Sequence, residues 1–437
     1  MPDNTTLPQP SNWGRFRNSV LIVIAILIFF PVSSLLSLEQ QPVIIDIRGA
    51  IYVRLDVFLK PEKNITRKAP LLKYFIQALG TNLRWSGLFN VHKQEDLADV
   101  NIELQKIANN IVQANVLTQS GVNLFSKKIH LSDDPQENEE KLIEFINELS
   151  IRLTGEKSIL GTAIVYAEQT STSEKNLILV NTHGKKRNVI IQDGSYNLLP
   201  RWTPDGEGIV YTTTGVNGTR IMEFDFETQK KRVISHRKGI SSGGSWGPDK
   251  NELIITISMK GNPDLYRINR DGQIIKRITN RSSIDTAPSW SPDGKAVLFV
   301  SNRSGTVQVY QMLIESGDIF RMSFEGNYNT DPRWSKDGAY IVYAGMVNRV
   351  FQVFLMDRDG EHSRQLTQSI ASSEQPEWSP DGRQLVFTSE VNGDQKIFIM
   401  TTDGAYKRRL TRSGKGVKET NPAWSRNFKW ERSLSLQ

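Results

Sequence analysis

Six tryptophans at near-constant spacing constrain this chain more than any other feature. Trp202, Trp246, Trp290, Trp334, Trp378 and Trp424 follow one another at intervals of 44, 44, 44, 44 and 46 residues. Around them recurs a Pro-x-Trp-Ser/Thr-Pro-Asp-Gly pattern, strongest at Pro200–Gly206, Pro288–Gly294 and Pro376–Gly382. It is weaker at Trp246-Gly-Pro-Asp249 and Pro332–Gly338, and Pro422-Ala-Trp-Ser425 has lost the Asp-Gly turn. A period in the low forties built of short strands and turns reads as a propeller blade, a unit that buries its faces only by stacking on its neighbours.

One repeat shows the physics. Trp378 ends a strand, Pro-Asp-Gly382 turns tightly, and Gln384–Ser389 returns as the next strand. Asn392-Gly393 turns into Lys396–Met400, and Asp403-Gly404 turns into Tyr406–Thr411. The indole fills the space between neighbouring sheets. A strand of the second type, Ala163–Tyr166, stands before any Trp motif. The ring is therefore expected to begin at strand two and to take its missing first strand from Pro422-Ala-Trp424, giving six blades sewn together by both ends.

Residues 41 to about 158 have a different character. Val43-Ile-Ile-Asp-Ile47 reads as a short strand ended by Gly49, and Ile51–Leu59 as an apolar run stopped by Pro61. Leu72, Phe75, Ile76, Leu79 and Leu83 form a helical stripe, as do Leu142, Ile143, Ile146, Leu149 and Leu153 ahead of Gly155. Asn101–Ile107 and Ile111–Leu117 read as paired strands around Asn109-Asn110. The expected order is a leader over 1–38, a mixed α/β domain over 39–158, a six-bladed propeller over 159–429 and a tail over 430–437.

The leader reading rests on Arg15 and Arg17 followed by the wholly apolar Val20–Phe30, then Pro31 and small residues. Counted through Leu38 the stretch is also just long enough for an uncleaved anchor. Cleavage is the favoured reading, and both send residues from about 39 onward out of the cytoplasm. The chain contains no cysteine, which excludes disulfides and thiolate chemistry. The net charge of +7 is spread over short runs near turns, such as Lys185–Arg187, unlike the gathered patch of a nucleic-acid binder.

Five residues before each Trp stand Asn197, Ser241, Asp285, Asn329, Ser373 and Glu419, all polar. They are expected to ring one mouth of the central channel as binding groups, or else to cap the turns that lead into the innermost strands.

With these features the chain resembles the TolB family, periplasmic propeller proteins of the Tol–Pal envelope system. The resemblance is carried by the leader, Val43–Ile47, Leu83-Arg-Trp-Ser-Gly-Leu-Phe89, Arg152-Leu-Thr-Gly155 with Ala163–Tyr166, and the six Trp repeats. It implies a non-enzymatic scaffold without cofactor or metal, monomeric and periplasmic, touching the membrane only through its export signal. It implies a peptidoglycan-associated lipoprotein bound at the propeller mouth by Ser241, Ser242, Gly243, Asp285, Thr286, Asn329, Thr330, Ser373 and Glu374. Gly243 and Thr286 fall where the family makes such contacts. It also implies a TolA-like inner-membrane partner engaged by Val43, Ile44, Ile45, Asp46 and Ile47, although Pro42 and Arg48–Ile51 depart from the family pattern.

Enzyme patterns are weak. Gly239-Ile-Ser-Ser-Gly243 matches a serine nucleophile elbow, but that motif needs a strand-to-helix turn, and an interblade loop is expected here. The five histidines are dispersed, and Asp357-Arg-Asp359-Gly360 lacks the glutamate of a calcium loop. A channel hydrolase or lyase would require an acid or histidine cluster. A glycan-binding propeller would require aromatics at the mouth, for which Tyr196 and Tyr328 are the candidates.

Overall fold

The computed structural model describes residues 54–62, 70–215, 218–237, 239–425 and Phe428. The expected leader and the Val43–Ile47 strand lie outside the described residues. Pro42–Gln437 form one compact unit. Among the described residues no helix is long and apolar enough to cross a membrane.

The first layer is a five-stranded mixed sheet covered by two helices. Strand β1 (Leu55–Pro61) lies between β2 (Phe89–His92) and β3 (Val100–Ala108), parallel to both. β4 (Ile111–Thr118) and β5 (Asn123–His130) continue from β3 as an antiparallel meander. Helix α1 (Pro70–Trp85) and helix α2 (Pro135–Thr154) bury the two stripes foreseen from spacing. Leu72, Phe75, Leu79 and Leu83 meet Leu142, Phe145, Ile146 and Leu149 over Val57, Ile102, Leu104 and Val116 in one core. α2 starts four residues before the periodicity suggests. Asp134 caps it by accepting from the Gln136 amide at 2.8 Å, and Pro135 occupies the first turn, where a missing N–H is harmless. Gly155 closes it in the left-handed conformation, φ 74°. β2 and β5 carried too little alternation to be read from sequence; each is a sheet edge, defined by its partner.

The rest is a six-bladed propeller, each blade a four-stranded antiparallel sheet. The first strands of the blades are Lys418–Trp424, Tyr196–Trp202, Ile240–Trp246, Asp285–Trp290, Asn329–Trp334 and Ser373–Trp378, taken here as blades 1 to 6. Each touches the next around a closed ring, so these six edges are the inner wall. Blade 1 joins Lys418–Trp424 to Ala163–Gln169, with Thr420 opposite Ala167 and Trp424 opposite Ile164, which is the closure expected from the phase of the repeat.

The Ser/Thr-x-Asp-Gly turns show why the motif recurs. In blade 4 the Ser291 hydroxyl donates to Asp293 Oδ1 at 2.6 Å, which also accepts from the Lys295 amide at 3.0 Å. The Ala296 amide donates back to Ser291 Oγ at 2.9 Å, and Gly294 supplies the positive φ of 73°. The same net forms at Thr203/Asp205, Ser335/Asp337 and Ser379/Asp381. Two of the indoles also stitch blade to blade: Trp202 Nε1 donates to the Ala423 carbonyl (3.0 Å) and Trp378 Nε1 to the Arg333 carbonyl (3.1 Å).

A second repeat-wide device had no residue signature. Three residues before each Trp, the backbone is left-handed in all six blades: Leu199, Gly243, Ala287, Asp331, Gln375 and Asn421, φ 51–61°. There the pairing register shifts, so two residues face one. Each is a β-bulge on the channel edge. The next residue is proline in five blades, tolerated because an inner edge strand has no further partner for the lost N–H. Opposite the bulges stand Tyr166, Tyr211, Ile255, Phe299, Tyr343 and Phe387, all fully buried.

Candidate functional site

The turns at the Trp end of the strands form one face of the ring, and the loops that enter the innermost strands form the other. The α/β layer docks on the first. Trp85 Nε1 donates to Tyr406 Oη at 2.8 Å, and its carbonyl accepts from Gln384 Nε2 at 2.8 Å. The Arg408 guanidinium lies 4.3 Å from the centre of the indole ring. Arg54 pairs with Asp403 at 2.8 Å, while Lys185 and Lys186 reach Glu139 and Glu140, each at 2.8 Å. Gly87 is favoured where it stands. Its φ is +75°, and a Cβ there would lie 2.4 Å from Gln384 Nε2. His183 is the buried centre of this contact, bonded through Nε2 to Asn82 Oδ1, with Nδ1 3.5 Å from Glu139. Burial first, then Arg408 and Lys185, push its pKa down to about 3. Burial also lowers Arg408, to about 10.

No element among the described residues covers the opposite face, and there the sequence expectation needs correction. The ring residues Asn197, Ser241, Asp285, Asn329, Ser373 and Glu419 do not line the mouth; each is at most 2% exposed. Asp285 pairs with Arg303 at 3.1 Å and accepts from Ser283 at 3.1 Å. Asn329 Nδ2 donates to Gln308 Oε1 and to the Glu325 carbonyl, both at 2.7 Å. Asn197 Nδ2 donates to the Lys175 carbonyl, Ser373 meets Ser389, and Glu419 accepts from Thr411. Of the two roles open to these six side chains, five are taken up in hydrogen bonds and ion pairs of the blade, and the buried Ser241 hydroxyl has no partner among the described residues. Side chains alternate along a strand, so a shift of one residue exchanges buried for open.

The next position is the one left part-open: Ser242, Thr286, Thr330 and Glu374 are half-buried, as is Gly243 at the bulge. Outside them an apolar crest stands in solvent, formed by Ile240, Ile284, Phe324, Tyr328 and Ile370, from 41% exposed at Tyr328 to 100% at Ile370. Tyr328 packs edge-on against Phe351. Tyr196 instead is half-buried and donates to the carbonyl of the exposed loop residue Thr172. Only Tyr328 of the two proposed aromatics therefore belongs to an exposed surface.

Inside the channel the bulges bring Glu374, expected at the mouth, together with Asp331, Arg201, Arg333 and Glu377, which carried no expectation. Asp331 of blade 5 feels Arg201 of blade 2, diametrically across the ring, and Glu374 of blade 6. Although its side chain is only half-buried, desolvation by the surrounding walls, ahead of both charges, raises its pKa to about 6. Burial likewise raises Glu374, whose carboxylate accepts from Gln395 at 3.2 Å. One residue before the Trp, Arg333 and Arg201 converge on Glu377 at 3.2 and 4.0 Å, tying blades 5 and 2 to blade 6. The missed signal was the residue type at two repeat positions, which is charged in some blades only.

The enzyme-like patterns resolve into structure. Ser241 lies within the strand Ile240–Trp246, not at a strand-to-helix elbow, and its buried hydroxyl has no hydrogen-bond partner among the described residues. Asp357–Gly360 is a hairpin turn, closed by the Gly360 amide on the Asp357 carbonyl at 3.0 Å.

Residues 151–428 match the family model described as the TolB β-propeller domain. The chain belongs to this family. Among curated relatives, the Tol-Pal system protein TolB of Roseobacter denitrificans is 33% identical over 94 residues, 21% of each chain. That of Wolbachia pipientis wMel is 27% identical over 189 residues, 40% of this chain and 44% of the relative. The chain thus matches less than half the length of these relatives. The crystal structure of TolB from Acinetobacter baumannii superposes with a TM-score of 0.70 at 24% identity, covering 85% of this chain and 97% of that one. Hydrazine synthase of Kuenenia stuttgartiensis shares the propeller at TM-score 0.53 and 14% identity, over 61% of this chain and 47% of its own. Both likenesses speak for the fold alone, which is a six-bladed propeller preceded by a small α/β layer.

Proposed function

We propose that this chain is a non-enzymatic periplasmic scaffold of the Tol–Pal system. On this reading a peptidoglycan-associated lipoprotein binds at the propeller mouth, and a TolA-like inner-membrane partner takes the segment Val43–Ile47. The scaffold then couples the two for envelope integrity and for constriction at division. The observation that carries the reading is the mouth face itself. An apolar crest surrounds part-open polar groups at Ser242, Gly243, Thr286, Thr330 and Glu374, while the α/β layer occupies the other face. A protein interface wants this pairing of apolar contact with a few polar anchors.

The test is an affinity capture from solubilised envelopes, with the exported part as bait. Because Asp285 and Asn329 are buried, the informative variant is Thr286→Arg with Thr330→Arg and Glu374→Arg. Capture of an outer-membrane lipoprotein by the parent, reduced at least tenfold in this variant, supports the reading. Equal capture by both, or none by either, overturns it.

A further inference from the structure

Away from both faces, the outer seam between blades 3 and 4 is incompletely closed. Blades diverge outward, so the seam needs filling, and here the outermost strands are short, Ile274–Arg277 and Ile319–Arg321. The seam's core of Ile254, Leu265, Val297, Phe299, Tyr310 and Met312 is topped by Ile278, Ile314 and Ile319, which remain partly open. A cavity of about 210 Å³ lies over them.

Its lining is one-sided in charge. Arg267, Lys276, Arg281 and Arg303 all contribute, and no carboxylate does. Two of the four are already used. Arg267 is paired with Glu252 and leans on the Trp290 ring, and Arg303 is paired with Asp285 over the Phe299 and Tyr310 rings. Lys276 and Arg281 are exposed and make no ion pair among the described residues. The groove therefore combines a small apolar strip of Ile278, Met312, Ile314 and Ile319 with a larger polar lining that includes two cations without an ion pair among the described residues. The strip rewards burial of aliphatic surface, at about 25 cal/mol per Å², and the two cations reward an anion. The volume lies below the ~300 Å³ at which drug-sized pockets begin, which limits the occupant to a short chain.

We propose that this seam binds a small anionic amphiphile, its aliphatic part on Ile278, Met312, Ile314 and Ile319 and its anionic head between Lys276 and Arg281. One end of the seam adjoins the mouth, because Arg281 lies on the loop entering blade 4 and Arg303 pairs with Asp285, but none of the residues substituted in the test of the mouth lines it.

The experiment is calorimetric titration of the full chain with sodium octanoate below its micellar range. Octanol and inorganic phosphate serve as the two half-ligands. Saturable one-to-one binding of octanoate is expected, with each half-ligand at least tenfold weaker. Lys276→Glu with Arg281→Glu, both on exposed side chains, should weaken octanoate at least tenfold while leaving the melting temperature unchanged. Ile319→Asp should do the same from the apolar side, and the charge reversals keep the test decisive if that variant misfolds. Octyl phosphate separates two sources of such a head: tighter binding than octanoate points to phosphorylated lipids and weaker binding to free carboxylates, and either supports the site. Absence of saturable octanoate binding, indifference to charge reversal, or phosphate binding as tightly as octanoate overturns the proposal.

Discussion

The propeller channel and the junction with the α/β layer are both crowded polar contacts, yet they are built on opposite terms. The junction depends on single-copy residues: one tryptophan, one buried histidine and one glycine at positive φ packed against the Gln384 side chain. The channel is built from positions that recur in every blade, with charge placed in only a few. A junction of the first kind fails at one residue, whereas a sixfold wall spreads its load. Their acid–base chemistry is opposed as well. His183 is held neutral in the folded chain, and Asp331 is held toward its protonated form.

That opposition gives the largest expected effect. The pKa of His183 is 6.5 unperturbed and about 3 in the fold. As pH falls through this window, the unfolded chain takes up a proton that the folded chain refuses. The stability from keeping the ring neutral is therefore full above pH 6.5 and lost progressively toward pH 3. The amount is on the order of 4 kcal/mol, taking ~1.4 kcal/mol per tenfold. The groups facing the ring are Glu139, Asn82, Lys185 and Arg408. His183→Asn should flatten the acid limb in thermal melts at pH 7, 5.5 and 4. An unchanged pH profile would mean that the junction opens before the histidine protonates.

Trp85→Ala comes next, at about 3 kcal/mol for a half-buried aromatic that also loses a hydrogen bond and its stacking with Arg408. The loss should fall on docking of the layer and not on the ring, so calorimetry should resolve two transitions in place of one. A single shifted transition would instead place the two parts in one cooperative unit.

What could be read beforehand follows the same division. The blade count, the closure through Trp424 and the stitching turns were legible because six copies of Trp, Pro, Asp and Gly average away local noise. The two helices were legible from their stripes. The bulges were not: Leu199, Ala287 and Gln375 adopt a left-handed backbone that their side chains disfavour, imposed by ring closure and by the proline that follows. Residues at both Trp-minus-five and Trp-minus-four were expected at the mouth; the fold buries the first in all six blades and leaves the second half-buried in five, Thr420 being buried. The junction was not legible as a contact, although Leu83–Phe89 stood out as a motif, because its partners lie far apart in sequence: Asn82 and His183 meet across 101 residues.

Asp331→Asn carries the opposite pH sign and a smaller size. Its pKa rises from 3.8 to about 6 in the fold, so the folded chain holds the extra proton between these values. The resulting stability is full below pH 3.8 and lost as pH rises through 6, at most about 3 kcal/mol and less to the extent that the channel is wet. Above pH 6 the Asn variant should equal or exceed the parent in melting temperature, and its advantage should vanish near pH 4. A variant less stable at pH 7 would mean that attraction to Arg201 outweighs the cost of burial.

The smallest effect tests the bulge itself. Glycine inside a strand ordinarily costs ~0.5–1 kcal/mol through the freedom it adds to the unfolded chain. At Ala287, φ 51°, it also removes the penalty of ~1–2 kcal/mol that a Cβ meets in the left-handed region. The two terms oppose each other, so Ala287→Gly should be neutral or stabilising by up to about 1 kcal/mol. The same change at Ala344, inside a regular second strand opposite Val353, should destabilise. Denaturant unfolding of the pair reads the difference directly. If both positions lose stability alike, the wall is not straining its residues. In that case the repeated left-handed geometry is set by the proline and the ring, at no cost to the residue that adopts it.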